Sequence, residues 1–159
     1  MPQTVYIETS VPSAYVTRRR DARSLYQRQE SHLWWTEQRP KYASFISQEV
    51  LGELGAGVFP GQVDALRLLQ GIPMVEINEE VLAIAEVYVH QKLSPAPAGR
   101  GDSLHLALAS YHEIDFLLTW NIRHLANPNK AQHLVAVNRR LALMTPTILT
   151  PDMLWVEEP

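Results

Sequence analysis

An α/β fold, with a mainly parallel central sheet flanked by helices on both faces, is what this 159-residue sequence predicts. Short β-rich runs alternate with longer stretches of helical composition, the pattern of strand–helix–strand crossovers. The length suits one compact domain, expected over residues 1–159. Hydrophobic residues are 46% and charged residues 19% of the chain, enough to bury a core and too little charge for a disordered chain. There is no internal repeat.

Residues 4–8 (Thr-Val-Tyr-Ile-Glu) read as a first strand, with Val5 and Ile7 on one face and Tyr6 on the other. Ser10 is an N-cap for a helix from Val11, where Pro12 is tolerated in the first turn. Residues 21–38 are helical in composition, with Ala22, Leu25, Tyr26 and Leu33 near one side, Trp34-Trp35 near the end and Pro40 as the stop. Residues 42–46 form the second strand. Ser47 caps a helix over 48–56, weakened by Gly52 and Gly55. A helix over 61–70 precedes a third strand at 74–77. Asn78 caps a helix over 79–93, with Glu79 and Glu80 in the first turn. Residues 94–100 (Ser-Pro-Ala-Pro-Ala-Gly-Arg) form an extended loop. It reaches about 23 Å, enough to return the chain along the preceding helix. A helix over 101–113, a strand over 115–119, a helix over 130–143 and a strand over 147–149 complete the pattern.

Several function classes are excluded. The absence of cysteine removes disulfide scaffolds, thiol nucleophiles and Cys-based metal sites. The N-terminal residues carry no signal-like segment and no apolar run is long enough to cross a bilayer, so a cytoplasmic location and no membrane partner are expected. A net charge of −3 argues against a basic coat for wrapping duplex DNA. Gly-x-Gly-x-x-Gly, the P-loop and Gly-x-Ser-x-Gly are all missing. Glu8 followed by Ser10 does not supply the strand-end Asp nucleophile of an aspartyl-phosphate phosphatase. None of the six histidines has the spacing of a zinc pair.

In an open parallel sheet, ligands bind at the carboxyl ends of the strands. Glu8 ends the first strand, Glu53 lies in the second turn after the second strand, and Asn121 follows the 115–119 strand. Asp102 opens the helix feeding that strand, and a right-handed crossover starts this helix at the same edge. Four oxygen-bearing side chains from distant stretches therefore converge. Two carboxylates 4 Å apart repel by about 4 kcal/mol at an effective dielectric near 20, so the cluster needs a cation or protons. Oxygen ligands suit Mg²⁺ or Mn²⁺, and the chemistry that follows is metal-assisted phosphodiester hydrolysis. Alone, Asp102 reads more simply as a helix-start acid. Glu49, at i, i+4 from Glu53, is assigned to the helix dipole and left out.

Four ordered segments carry a resemblance: Val5-Tyr6-Ile7-Glu8-Thr9-Ser10, Ser47-Gln48-Glu49-Val50-Leu51-Gly52-Glu53-Leu54, Gly101-Asp102-Ser103-Leu104-His105-Leu106-Ala107 and Phe116-Leu117-Leu118-Thr119-Trp120-Asn121. The chain resembles PIN-domain proteins, the nuclease fold of VapC-type toxins, in a branch with Glu-Thr-Ser and Thr-Trp-Asn motifs. The resemblance implies a single PIN-like domain and an endoribonuclease whose catalytic residues are Glu8, Glu53, Asp102 and Asn121. Glu8 and Asp102 are the main ligands of Mg²⁺ or Mn²⁺, Glu53 positions metal or water, and Asn121 is a neutral fourth ligand. A homodimer silenced by a small antitoxin is implied as well. Glu8 and Asn121 stand where Asp is usual in the family. These departures sustain an alternative, a catalytically weak or inactive module that binds RNA or a protein partner.

Arg18, Arg19 and Arg20, with Arg23 and Arg28 nearby, are candidate phosphate grips, weighed equally against a solvated surface segment. Arg123 and Lys130, with His124, lie just beyond Asn121 and form a second candidate RNA track. Trp34-Trp35 is expected to pack inside rather than stack on bases. His105, three residues after Asp102, is expected to be a partly buried, hydrogen-bonded histidine.

Overall fold

The structure is a computed structural model and describes residues 1–157; the last two positions of the expected 1–159 domain, Glu158 and Pro159, lie outside the described residues. The chain runs β1 (Thr4–Ile7), α1 (Ser10–Val16), α2 (Ala22–Leu33), β2 (Ala43–Phe45), α3 (Gln48–Gly55), α4 (Gln62–Leu68), α5 (Glu79–His90), α6 (Asp102–Tyr111), β3 (Phe116–Leu118), α7 (Pro128–Arg140) and β4 (Thr147–Leu149). The sheet order is β2-β1-β3-β4, and every pairing is parallel. Strand β1 is central, with Val5 facing Ser44 on one side and Phe116 on the other. Val5, Tyr6 and Ile7 are all fully buried. Successive side chains point to opposite faces, so both faces of β1 are covered, as expected of a parallel sheet.

Helix α6 is buried from Ser103 through Ser110 and packs on α5 and β3. Its buried residues include the polar Ser103, His105 and Ser110, so the helix is central and each of these needs a partner inside. Among the described residues, no helix is long and apolar enough to cross a membrane.

Three local expectations are corrected. Residues 74–77 form no strand: Met74 makes one isolated bridge to Ile46, held by Ile46 N–H to Pro73 O and Val75 N–H to Ile46 O. Val75 and Ile77 pack partly against the core, but Met74 and Glu76 are exposed, so only one face of this edge segment is covered. The 21–38 helix does not run straight through: α2 ends at Leu33, a π-helical turn spans Trp34–Gln38, and a 3₁₀ turn at Arg39–Lys41 contains Pro40. Both tryptophans are buried there, as expected. Leu25 and Tyr26 are about half exposed, so the apolar side expected for α2 is only partly covered.

The third correction concerns caps. Asn78 caps α5, accepting the Val81 N–H at 2.9 Å. Ser10 and Ser47 do not cap α1 and α3 with their side chains. Their hydroxyls are engaged at the carboxyl edge of the sheet instead.

Candidate functional site

With order 2-1-3-4, successive crossovers leave β1 in opposite directions, and the switch point falls between β1 and β3, where ligands collect in α/β sheets. Glu8 follows β1 and Thr119–Trp120–Asn121 follow β3. The pairing continues past the strands, with Glu8 N–H bonded to Leu118 O and Thr119 N–H to Leu149 O, both at 3.0 Å. These bonds fix the two chain exits side by side.

The Glu8 carboxylate is only 6% exposed. Its Oε1 accepts from the Ser10 hydroxyl, from Ser10 N–H at 3.1 Å and from Thr119 Oγ1 at 2.6 Å. Each hydroxyl in turn accepts a backbone N–H from the β3 exit: Trp120 to Ser10 Oγ at 2.8 Å, and Asn121 to Thr119 Oγ1 at 2.9 Å. This explains the Ser10 correction, since a hydroxyl donating to Glu8 and accepting from Trp120 is not free to cap. No hydrogen bond among the described residues reaches Glu8 Oε2.

Glu53, on α3, is organised the same way. Its Oε1 accepts from Thr9 Oγ1 and His105 Nε2, both at 2.5 Å, and Oε2 takes no hydrogen bond among the described residues. His105 is fully buried on α6, with Nδ1 2.6 Å from the Tyr6 hydroxyl, which is 2.7 Å from Ser47 Oγ. Carboxylate oxygens of Glu8 and Glu53 and a ring nitrogen of His105 lie within 4.8 Å of one another.

Burial pushes the Glu53 pKa up, but the hydrogen bond and charge of His105, with the Thr9 hydroxyl, outweigh it and hold the group below its usual value. Burial pushes His105 down, yet the Glu53 hydrogen bond and the charges of Glu8, Glu53 and Glu49 raise it overall. Burial raises Tyr6 well above the usual phenol value, so it stays protonated.

Asp102 opens α6 after Gly101, whose φ of 71° falls where glycine is favoured. Gly101 is the N-cap and Asp102 the first helical residue, an acid in the first turn, as a helix-start acid is expected to be. Burial raises its pKa, the Glu53 charge adds to this, and His105 and His124 oppose it. Its carboxylate faces Asn121 Nδ2, at 3.3 Å from Oδ1 and 3.4 Å from Oδ2. Asn121 Oδ1 accepts the His124 N–H at 3.2 Å. Asn121 therefore meets Asp102 as a donor, and its carbonyl oxygen is turned to the backbone.

Two further residues line this region: Glu49, which the sequence assigns to the helix dipole, and Arg100, which it does not mark as a site residue. Glu49 Oε2 accepts the Gly101 N–H at 3.2 Å, joining α3 to the start of α6. Arg100, with Glu49, Glu53 and Asp102, lines a cavity of about 300 Å³. The i, i+4 spacing of Glu49 and Glu53 is a signal for the first; nothing local signals the second. Buried Ser103 holds the intervening loop, bonding Ala98 O at 3.0 Å and Pro97 O and Arg100 O at 3.3 Å.

The basic candidates separate. Arg18, Arg19 and Arg23 line a cleft of about 1020 Å³ together with Ser10 and Asn121. Arg20 is exposed beside it. Arg123 is exposed and does not line this cleft, and Lys130 borders a separate, mostly apolar cleft of about 610 Å³ near β4.

No family model and no curated protein matches this chain in sequence. Solved structures match its fold. VapBC2 from Rickettsia felis, bound to a promoter DNA fragment, aligns with TM-score 0.54 at 12% identity, covering 93% of this chain and 98% of that chain. FitAcB from Neisseria gonorrhoeae aligns with TM-score 0.54 at 15% identity, covering 94% and 99%. The chain has the PIN-like α/β fold that its motifs resemble.

Proposed function

We propose that this chain acts as an Mg²⁺- or Mn²⁺-dependent endoribonuclease, a single PIN-like domain over residues 1–159 serving as the toxin of a toxin–antitoxin pair. One observation carries the reading. Glu8 and Glu53 take every hydrogen bond on Oε1 and keep Oε2 open, while Asp102 lines the same cavity as Glu53. These open oxygens are not sealed in the core, and the Glu53 side chain is 34% exposed, so a cation can reach them from solvent. The donor set fits a hard divalent cation.

Glu8 and Asp102 would hold the cation and Glu53 would orient it or the attacking water. Asn121 would steady Asp102 through Nδ2. Such a cation lowers the pKa of water and neutralises charge on a phosphoryl oxygen. Arg18, Arg19 and Arg23 suit RNA phosphates approaching along the cleft that ends at Asn121, with Arg20, Arg123 and Lys130 gripping phosphates further out.

VapBC2, the Rickettsia felis neighbour, was solved on promoter DNA. This supports a small antitoxin as partner here, with a homodimer and a cytoplasmic location as further parts of the proposal. The donor orientation of Asn121 favours one second reading, a module that holds RNA or a protein without cutting it.

The test is cleavage of mixed single-stranded RNA by the full chain with Mg²⁺, with Mn²⁺ and with chelator, beside Asp102→Asn. Metal-dependent cutting that vanishes in the variant is expected. Folded protein that binds RNA but cuts with neither metal would establish the binding module instead.

A further inference from the structure

We infer that His105 is a positioning residue for the candidate cation site: it pins one oxygen of Glu53, turns the other toward the cation, and does not itself ligate. The inference rests on reading Glu8, Glu53 and Asp102 as that site. By proximity alone His105 belongs to the ligand set, since its ring nitrogen lies within 4.8 Å of both glutamate oxygens. Its hydrogen bonds decide otherwise.

Nε2 is 2.5 Å from Glu53 Oε1. An ionised carboxylate only accepts, so Nε2 carries the hydrogen and has no lone pair for a metal. The other nitrogen, Nδ1, faces the Tyr6 hydroxyl at 2.6 Å in a fully buried setting, away from any cation.

The ring is braced from behind. Tyr6 belongs to β1, and its hydroxyl also meets Ser47, the N-cap residue of the helix that carries Glu53. Thr9 Oγ1 donates to the same Glu53 oxygen at 2.5 Å. Swinging the carboxylate would break two short bonds at once, so Oε2 is held in one direction. Partners that orient a ligand without touching the metal typically change metal affinity about 10–100-fold when removed.

The experiment is a Mn²⁺ titration of the full chain followed by electron paramagnetic resonance of the free ion, with metal-free thermal unfolding measured alongside. His105→Ala is expected to raise the Mn²⁺ dissociation constant about 10–100-fold. His105→Gln, which restores an N–H at about the same reach, is expected to recover most of that loss. If His105→Gln binds as weakly as His105→Ala, the imidazole itself is a ligand and the inference fails. Unchanged affinity in His105→Ala also overturns it. Because that variant opens a cavity and can unfold, Tyr6→Phe serves as the second probe. It keeps the ring and removes only the brace, and a several-fold loss is expected; native affinity there sinks the proposal. Asp102→Asn runs in the same series, and if it binds Mn²⁺ as the native chain does, the site reading falls first and separately.

Discussion

Two polar clusters in this molecule, one sealed in the core and one opening to solvent through Glu53, use hydrogen bonds in opposite ways. One joins α5, α6 and α7: the Tyr88 hydroxyl donates to Asn138 Oδ1 at 2.5 Å, and Asn138 Nδ2 reaches Thr145 Oγ1 at 3.1 Å and Ser110 Oγ at 3.2 Å. All its members are neutral, and Tyr88, Ser110 and Asn138 are completely buried. The other cluster, at the carboxyl ends of β1 and β3, contains carboxylates and a histidine, and its bonds crowd onto one oxygen of each glutamate. The first satisfies its central amide and serves the fold. The second holds the like charges of Glu8 and Glu53 close together beside His105, with an oxygen of each glutamate left open.

The contrast is sharpest in a pair of substitutions. Glu8→Gln keeps an oxygen for Ser10 and Thr119 but replaces the open Oε2, so cleavage falls to background. Metal-free stability holds or rises, because one close like charge is gone. Asn138→Leu removes the amide that Tyr88, Ser110 and Thr145 share and lowers stability by about 2–3 kcal/mol, while the folded fraction keeps its cleavage rate. Denaturant melts beside a single-turnover RNA assay check both. If Glu8→Gln destabilised as much as Asn138→Leu, the two clusters would be alike and the distinction would collapse.

A smaller effect lies in the cleft. Changing Arg18 and Arg19 together to alanine weakens single-stranded RNA binding several-fold, and the slope of log affinity against log salt becomes shallower by about 0.7 for each phosphate no longer neutralised. Arg123→Ala, outside that cleft, changes the slope less. Equal slopes for both would remove the preference for the Arg18–Arg19 side.

The smallest effect is the pH dependence of the metal-free chain below and near neutral pH. Of the two clusters only the second titrates there, Tyr88 in the first being pushed up to about 12. The His105 pKa is raised in the folded state, so its contribution is complete below the ordinary value of 6.5 and is lost as pH rises through the folded value. The Glu53 pKa is lowered, so its contribution is complete above 4.5 and is lost as pH falls through the folded value. Thermal stability attributable to this pair therefore peaks between about 4.5 and 6.5. His105→Gln flattens the alkaline side. Asn138→Leu shifts the whole curve down without changing its shape.

Local sequence determined much of this. The alternation of strand-like and helical runs required a parallel α/β sheet, because strands buried on both faces must be apolar and crossovers must be helical. The carboxyl-edge rule directs Glu8, Glu53, Asp102 and Asn121 to one edge, since each is tied to a strand end or helix start. The folded chain groups Glu8 and Glu53 with His105 and pairs Asp102 with Asn121. Local reading failed where a side chain had two possible partners. Ser10 and Ser47 have ideal capping positions, and Glu49 an ordinary first-turn one, but only the folded chain brings Trp120, Tyr6 and Gly101 close enough to compete for them. Residues 74–77 have strand composition, yet only Val75 and Ile77 pack, in part, against the core, and the segment makes one bridge. His105 was legible as a buried histidine. That its two nitrogens join Tyr6 of β1 to Glu53 of α3 depends on packing three elements far apart in sequence, and tertiary structure alone decides that.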